Sequence, residues 1–487
     1  ISGVNIYSNT IGTESQLDGS FRFDFEESSI ITFSHIGYKN EEINAVPKYS
    51  IVYLGLDILH GEGIQISVSR AIPGITPSAF STLSKEEISY NYTIEDVPMV
   101  LASEPGIYAY SESGNGTGYS YVSIRGFDQS KIAVMIDNVP LNDNESHQVY
   151  WVDHGDILSN AKDVQIQRGI GNSLYGSAAF GGSINVITEI SKNENELKAS
   201  VGFGSYNTKK YRLNYNTGNS LSENLGLNVR LSQIVSDGYR DFHNSFQRSG
   251  LIGIEYKTDK MTHQLRAQLG YENTDLTWDG IAASDINDRE LRKSGYKSYT
   301  DDFYQQIYSL NSSYRFSADL SLRNVVYLVK GEGYYEVFRE NVSYYDYNLD
   351  INNLIPDLTE QELKTDLLRR KWIVNTYYGA APVLTWRNNT LRLDIGCEIR
   401  YYTGDHFGEV SNLSNEELQS LFGNNWYKYY QYIGSKTSIT GFIHLLYTLT
   451  ANFKLIGDLQ YQEHRWELKQ KLIGHANGYT LSAPWNF

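Results

Sequence analysis

The chain has 487 residues, and 41 lysines and arginines against 57 aspartates and glutamates give it a formal net charge of −16 at pH 7. This acidic balance argues against a nucleic-acid partner, which would select a basic surface. Hydrophobic residues make up 40% of the chain, which excludes a disordered protein. The 40 tyrosines and 41 glycines, beside only 9 prolines, are typical of a β-rich protein with many tight turns.

The single cysteine, Cys397, excludes an intrachain disulfide and any CxxC metal or redox motif. No run of about 18 apolar residues occurs, so no transmembrane helix is predicted. The chain begins at Ile1 without Met or a secretory signal, inside an expected strand that reaches Tyr7. We therefore expect a truncated N-terminus.

Residues 1–60 carry the signals of a small all-β unit. Asp18 and Gly19 form a favoured hairpin turn, and a further strand is predicted over 30–33. Alternating phenylalanines follow the turn at Phe21, Phe23 and Phe25. Residues 61–80 are rich in glycine and proline, which predicts a linker.

Residues 81–190 mix helix and strand signals. Ser84 with Glu87 forms a capping box, which predicts the start of a helix. A weaker box of Thr93 with Asp96 predicts a second helix, which should end before the following Pro-Gly pair. Strands are predicted around 122–124, 132–137, 164–167 and 184–187.

Residues 191–487 are predicted to form long antiparallel strands. Apolar and polar side chains alternate without helical periodicity, as in Leu225, Leu227, Val229 and Leu231. Because these strands run roughly 9–12 residues, they favour a transmembrane β-barrel over a soluble sandwich, whose strands average about 5–6. About 11 strands are expected. Long loops are expected at 332–369 and 404–434.

In a barrel, the apolar stripe would face lipid and the charged stripe would face a wet interior. The charged stripe comprises Arg230, Arg266, Glu272, Asp394, Glu398 and Arg400. Two H-x-x-E patterns, starting at His406 and His464, lack a third ligand in any recognisable frame. We therefore predict no enzyme, no cofactor and no metal.

A series of sequence blocks within residues 96–188 is the most informative part of the chain. The blocks are Asp96-Val97-Pro98-Met99-Val100-Leu101, Glu104-Pro105-Gly106-Ile107, Val122-Ser123-Ile124-Arg125-Gly126-Phe127, 132–142, Val164-Gln165-Ile166-Gln167-Arg168-Gly169 and 174–188. In order and spacing they strongly resemble the plug domain of TonB-dependent outer-membrane receptors. Asn138 departs from the family, which often has Gly there, but Asn also tolerates positive φ.

Two further segments carry resemblances. Residues 1–60, through Asp18-Gly19-Ser20-Phe21 and Gly37-Tyr38, resemble the carboxypeptidase-regulatory-like β-sandwich found before some of these plugs. The stretch 396–410 resembles the barrels of this class. The family barrel has 22 strands, so half a barrel fits here, and Pro484 near the end makes us expect a C-terminal cut.

The resemblance implies a fold and a function. The expected fold is mainly β: a small β-sandwich (1–60), a linker (61–80), an α/β plug domain (81–190) and an incomplete antiparallel transmembrane β-barrel (191–487). The expected function is energy-coupled uptake of a scarce nutrient across the outer membrane of a Gram-negative bacterium. The nutrient class stays open between a ferric siderophore, another metal chelate and a glycan.

The resemblance also suggests roles for particular residues. A latch would join the plug arginines and their following glycines (Arg125, Gly126, Arg168 and Gly169) to barrel glutamates (Glu255, Glu272 and Glu398). Ligand contacts at the plug apex would come from Tyr110, Tyr119, Tyr121, His147, Tyr150 and Trp151. Contact with TonB would come from Ile64, Ile66 and Val68, whose alternation suits strand addition to a partner.

The implied partners are a TonB-type energy-coupling protein of the inner membrane, outer-membrane lipid and an external nutrient. A surface lipoprotein is a further partner that the resemblance allows. The competing interpretation is a passive outer-membrane barrel, either a porin or an adhesin. The plug blocks count against this alternative, because a passive pore has no use for them.

Overall fold

The computed structural model describes residues 4–8, 11–16, 18–22, 30–35, 41–44, 51–54, 71, 76, 78–169, 180–190, 194–278, 280–295, 297, 299–349, 363–414, 419, 426–450 and 453–472. The chain divides into two compact units, residues 1–64 and 65–487.

The first unit contains a four-stranded antiparallel sheet. Its strands are β1 (Asn5–Ser8), β2 (Ile11–Glu14), β3 (Ile30–Ser34) and β4 (Glu41–Asn44), in the order β2-β1-β3-β4. Val4, Ile6, Ile31 and Phe33 form its buried core, against which Phe21 packs edge-on. The predicted strands β1 and β3 are confirmed, while Phe23, Phe25 and the Gly37-Tyr38 pair lie outside the described residues. The carboxypeptidase-regulatory-like fold stays a prediction.

The predicted turn of this unit is present. Gly19 has φ 81°, and the Asp18 carboxylate accepts a hydrogen bond from the Ser20 backbone N–H at 2.9 Å. This local bond and the glycine's freedom at positive φ explain why the chain reverses here.

The second unit begins with an α/β segment, residues 78–190, which we call the plug segment. Five strands form a mixed sheet in the order β10-β9-β12-β11-β5, in which β9 and β12 are parallel, and three form a separate sheet, β6-β7-β8. Its strands and helices are β5 (Ala79–Ser84), α1 (Lys85–Asn91), α2 (Val97–Leu101), β6 (Ile107–Ser111), β7 (Ser120–Ile124), β8 (Phe127–Asp128), β9 (Ile132–Ile136), β10 (Val139–Pro140), β11 (Ala161–Arg168) and β12 (Gly182–Thr188).

Local sequence explains the helix boundaries. The capping box is present: the Ser84 backbone N–H donates to the Glu87 carboxylate at 2.7 Å, and the Glu87 N–H donates to Ser84 Oγ at 3.3 Å. The second predicted box is wrong, because Thr93 bonds Glu95 instead and α2 begins after Asp96. The helix ends before the Pro-Gly pair, as predicted.

A tight turn joins β9 and β10. Asp137 and Asn138 have φ 50° and 68°, and Ile136 pairs with Val139. Two successive positive φ values define the turn type whose twist suits a hairpin. The expectation that Asn138 tolerates positive φ is therefore confirmed.

Long strands form the rest of the second unit, which we call the large sheet. All neighbouring strands are antiparallel, in sequence order from β13 to β24, with the short β21 pairing beside β20 between β19 and β22. The strands are β13 (Glu196–Phe203), β14 (Lys209–Asn216), β15 (Leu225–Ser236), β16 (Ser245–Lys257), β17 (Met261–Asp275), β18 (Thr300–Arg315), β19 (Leu320–Ser343), β20 (Lys364–Ala380), β21 (Val383–Arg387), β22 (Leu391–Ser411), β23 (Tyr427–Thr450) and β24 (Phe453–Leu472). One short helix, α3 (Arg289–Lys293), lies between β17 and β18.

The two faces of the large sheet invert the pattern of a soluble protein. On one face, which we call the apolar face, Leu231 and Ile399 are 58% and 54% exposed. On the other, the charged face, Arg230 and Glu272 are fully buried. The plug segment packs against the charged face. The predicted alternation of an apolar and a charged face is confirmed, while contact of the apolar face with lipid stays a prediction.

Two predicted loops are shorter than expected. Strand β19 continues to Ser343 and β20 begins at Lys364, while β22 continues to Ser411 and β23 begins at Tyr427. Backbone pairing between antiparallel strands does not require alternating side chains, so it continues after the apolar alternation has stopped. The described residues include no helix long and apolar enough to cross a membrane.

Candidate functional site

The interface between the plug segment and the charged face contains a buried ion cluster around Asp156. Asp156 lies between two short 3-10 helices with φ 57°, and its carboxylate is 2.5 Å from Lys210 Nζ. Arg230 lies on the other side, 3.8 Å from the second carboxylate oxygen, and also donates to the Asp156 backbone carbonyl. Tyr92 and Ser159 donate their hydroxyls to Asp156 Oδ1 at 2.7 and 2.5 Å.

Electrostatics keep this carboxylate ionised. Burial opposes ionisation, but Arg230 and then Lys210 lower the pKa of Asp156 to about 2. All three charged side chains are at least nine-tenths buried. Since a buried charge is costly without its partner, this cluster resists separation of the plug segment from β14 and β15.

A second ion pair joins the turn after β9 to β17. Asp137 lies 3.2 Å from Arg266, and Thr188 donates its backbone N–H and its hydroxyl to the Asp137 carboxylate at 2.8 and 2.7 Å. Burial raises the pKa of Asp137, although Arg266 and Thr188 oppose that rise. The turn residue therefore has a fixed place on the charged face.

A third contact joins the plug loop after β10 to β22 and β23. Glu145 lies 3.1 Å from His406, whose ring stacks on Tyr432 with centroids 4.7 Å apart. Lys436 donates to the Asn144 backbone carbonyl at 2.9 Å, and Arg400 lies 3.4 Å from the Asn144 side-chain oxygen. In all three contacts the plug segment supplies the carboxylates and the large sheet supplies the cations.

The predicted latch joins plug arginines to glutamates of the large sheet, which is the reverse of the charge arrangement in these three contacts. The described residues do not form it. Arg168 pairs with Glu104 of the plug segment at 3.2 Å, and Arg125 is exposed with one guanidinium nitrogen 3.4 Å from the Arg168 carbonyl. Gly126 and Gly169 have φ 85° and 96°, as expected of turn glycines after these arginines.

The three predicted barrel glutamates have other neighbours. Glu255 bonds Gln264, and Glu398 accepts from Tyr327 at 2.7 Å and lies 3.4 Å from Arg400. Each of these partners belongs to the large sheet itself. The alternation of side chains along each strand correctly predicted that the glutamates lie on the charged face. It does not identify which plug residue lies opposite each of them.

Glu272 belongs to a carboxyl cluster that the sequence did not predict. It is fully buried, and its charge interacts with Asp301 of the large sheet and Asp153 of the plug segment. Tyr119 donates its hydroxyl to Asp301. Burial, and then Asp301, raise the pKa of Asp153 well above its ordinary value. A local sequence signal is lacking, because these acids come from three distant segments.

The predicted apex tyrosines divide into two groups. Tyr110 is 47% exposed and stacks on Tyr121 with centroids 5.0 Å apart, while the Tyr121 hydroxyl donates to Glu112 at 2.8 Å. The Tyr119 hydroxyl instead donates a hydrogen bond to Asp301. The loop that carries these residues reaches the end of β15 through a 3.3 Å bond from Asn115 to Ser236.

The second apex loop also departs partly from prediction. Tyr150 is 43% exposed, and His147 is half-buried with φ 59°. Trp151 is buried in the plug core, where its indole N–H donates to Gln129 Oε1 at 3.2 Å. Its role as a ligand contact is therefore not supported. Apolar packing explains its burial, which composition alone did not reveal.

The predicted TonB-contact residues Ile64, Ile66 and Val68 lie outside the described residues. Within the described part of the chain, no group of three or more His, Cys, Asp or Glu side chains could hold a metal ion.

Comparison with known proteins identifies a family domain and several relatives. The model of the TonB-dependent receptor plug domain matches residues 75–183. The TonB-dependent receptor SusC of Bacteroides thetaiotaomicron is 22% identical over 200 residues, which cover 39% of this chain and 20% of SusC. The vitamin B12 transporter BtuB of Vibrio cholerae is 26% identical over 211 residues, which cover 40% of this chain and 34% of BtuB.

Solved structures share the fold. The open form of the ferric-catecholate import receptor Fiu of E. coli K12 aligns with TM-score 0.60 and 16% identity, covering 85% of this chain and 65% of Fiu. The unliganded ferric citrate transporter FecA aligns with TM-score 0.62 and 12% identity, covering 82% of this chain and 58% of FecA. The chain thus spans about a fifth to a third of these curated relatives and about three fifths of these structures. The plug-domain match confirms the prediction from the sequence blocks: residues 75–183 match the plug domain of TonB-dependent receptors, and the chain shares the fold of the solved receptors.

Proposed function

We propose that this chain acts in the outer membrane of a Gram-negative bacterium as a receptor for energy-coupled uptake of a scarce nutrient. The observation that supports this most directly is the plug segment held on the charged face by buried ion pairs at Asp156 and Asp137. A plug held in this way would block passive flow, and its movement would require work.

Relatives support the nutrient class in general terms. Their names include a vitamin B12 transporter, a ferrienterobactin receptor and a ferric citrate transporter. We propose a ferric siderophore, another metal chelate or a glycan as the nutrient here. Exposed Tyr110 and Tyr150 are the aromatic side chains of the predicted apex set best placed to contact it.

The proposed partners follow from the same interpretation. The exposed apolar face, including Leu231, Leu265 and Ile399, is suited to contact with outer-membrane lipid. A TonB-type protein of the inner membrane would supply the work through the segment containing Ile64, Ile66 and Val68, by adding a strand. A surface lipoprotein remains a further proposed partner.

Uptake by cells tests this proposal. A strain lacking the gene, with and without the gene restored, would be given labelled ferric chelates, cobalamin and oligosaccharides. We expect restored cells to accumulate one class, and a protonophore to abolish that accumulation. Accumulation that persists with the protonophore would instead support the passive barrel.

A variant of the predicted TonB-contact segment provides a second test. Ile66→Pro removes a backbone donor and prevents strand addition, whereas Ile66→Val preserves both. We expect the first variant to bind nutrient at the cell surface without accumulating it, and the second to behave like the wild type. Normal accumulation by Ile66→Pro would exclude this position from the coupling contact.

A further inference from the structure

A cavity of about 110 Å³ lies between the plug segment and the charged face, beside the third of the contacts between them, which supplies Asn144, Arg400 and Lys436 to its lining. It is several times larger than the roughly 10–15 Å³ that one water requires. The plug segment lines it with β9 and the loop after β10, and the large sheet lines it with β19, β22, β23 and β24.

Buried cations dominate the lining. Arg323, Arg400 and Lys436 all lie in the wall, together with two histidines. Two acids share the cavity, but both have other partners. Glu398 is held by Arg400 and Tyr327, while Asp143 accepts backbone N–H groups of its own loop, including one at 2.6 Å.

Lys436 is the cation whose charge is least compensated. Its side chain is 6% exposed, and its ammonium donates to the Asn144 backbone carbonyl at 2.9 Å and lies 5.1 Å from the centre of the Trp466 ring. Among the described residues, no carboxylate lies within ion-pair distance of it, and the charges of Asp143 and Glu145 act on it only from farther away. A buried ammonium needs a counter-charge because it has lost its hydration.

Unused hydrogen-bond donors lie beside this charge. The side-chain amide of Asn144 is buried, its oxygen faces Arg400, and its nitrogen has no acceptor within the described structure. His147 and His464 also line the cavity, and His464 is bonded to Ser438. Burial, and then nearby Lys436, lower the pKa of His147, as expected where the surroundings are already positive.

From this cavity, its buried ammonium without an ion pair among the described residues, and its unused amide donor, we propose a binding site for a carboxylate or phosphate group. An oxyanion supplies the missing negative charge together with several acceptor oxygens in different directions, which suits an ammonium and an amide on different walls. Assigning that group to the transported nutrient, as it passes between the plug segment and the large sheet, rests on the proposed function. The nutrient would then be anionic.

Thermal unfolding of the purified full chain in detergent tests the binding site, with inorganic phosphate and citrate as probes and chloride of equal ionic strength as the reference. A ligand that binds only the folded state raises the unfolding midpoint. We expect phosphate or citrate to raise the midpoint of the wild type and of Lys436→Arg, and not that of Lys436→Met. Lys428→Met, in the same strand but with its cation 3.6 Å from the Phe407 ring on the apolar face, should respond like the wild type.

The result that overturns the site is an equal midpoint shift in Lys436→Met and the wild type, or no shift in the wild type. Lys436→Met should still fold, since it replaces a buried charge that has no ion pair among the described residues with an apolar chain of similar length.

Uptake by cells then tests the assignment to the nutrient. If the wild type accumulates a nutrient, Lys436→Met should reduce its uptake at least tenfold and Lys428→Met should not. Full uptake by Lys436→Met would overturn the assignment while leaving the proposed function intact. Failure of all energy-coupled uptake, with phosphate binding preserved, would overturn the proposed function and the nutrient assignment but not the oxyanion site.

Discussion

Replacing Asp156 by Asn should loosen the plug segment from the large sheet. The substitution preserves size and a hydrogen-bond acceptor for Tyr92, but it leaves the buried cations Lys210 and Arg230 without a counter-charge. Breaking one partner of a buried pair typically costs about 3–5 kcal/mol. The pKa of Asp156, lowered from 3.8 to about 2, corresponds independently to about 2 kcal/mol. We therefore expect a loss of about 2–5 kcal/mol in the free energy of local opening.

Native-state hydrogen exchange of backbone amides in residues 151–168 measures this free energy directly. Asp128→Asn is the matched control, since Asp128 is an exposed plug acid that bonds only its neighbour Ser130. Adding Lys210→Met to Asp156→Asn should recover part of the loss, because one uncompensated charge is removed. An unchanged opening free energy in Asp156→Asn, or strict additivity in the double variant, would refute the argument.

Acid should act on the same cluster. Because the pKa of Asp156 is lower in the folded state than in the unfolded state, its stabilising contribution is fully present above about pH 4. The contribution is lost as the pH falls from about 4 towards 2. In Asp156→Asn this part of the acid dependence should be absent.

Three further predictions test other parts of the structure. Burial raises the pKa of Asp96 to about 8, so the folded state keeps a proton that the unfolded state has lost. Stability of the wild type should therefore decline between about pH 4 and pH 8, and Asp96→Asn, followed by the same exchange method, should lack that decline. A Cβ at Gly270 would lie 2.1 Å from a backbone oxygen of the plug segment, so Gly270→Ala should lower the free energy of local opening there by about 2 kcal/mol or more. Gly441→Ala, with open space around it, should leave that free energy unchanged. Tyr150→Ala should weaken nutrient binding to cells without changing stability, while Trp151→Ala should cost about 3–5 kcal/mol in stability; the reverse result would restore Trp151 as the ligand contact.

Much of the fold could be predicted from local signals. The capping box at Ser84 and Glu87 determines where α1 begins, and strand alternation determines which face of the large sheet is charged. These features depend on neighbours in sequence, and their physical causes act over a few residues. The ends of the longest strands could not be predicted in this way, because the apolar alternation stops before the backbone pairing does.

The candidate site was only half predictable. The alternation of side chains along each strand predicted that Arg230 and Arg266 lie on the charged face, and the structure confirms this. The partners Asp156 and Asp137 have no sequence pattern that distinguishes them from other acids of the plug segment. The expected polarity of the latch was therefore wrong for the described residues, where plug carboxylates meet cations of the large sheet.

The sequence by itself determined the plug-domain motifs and the two faces of the strands, because ordered motifs and a period of two residues are local properties. Only the tertiary structure decided which charges meet, which apex side chains are exposed, and that Lys436 has no ion pair within the described part of the chain. Those outcomes depend on how the plug segment packs against strands distant in sequence. In that low-dielectric interface, the identity of a charged neighbour determines whether a side chain stabilises the fold or requires a ligand.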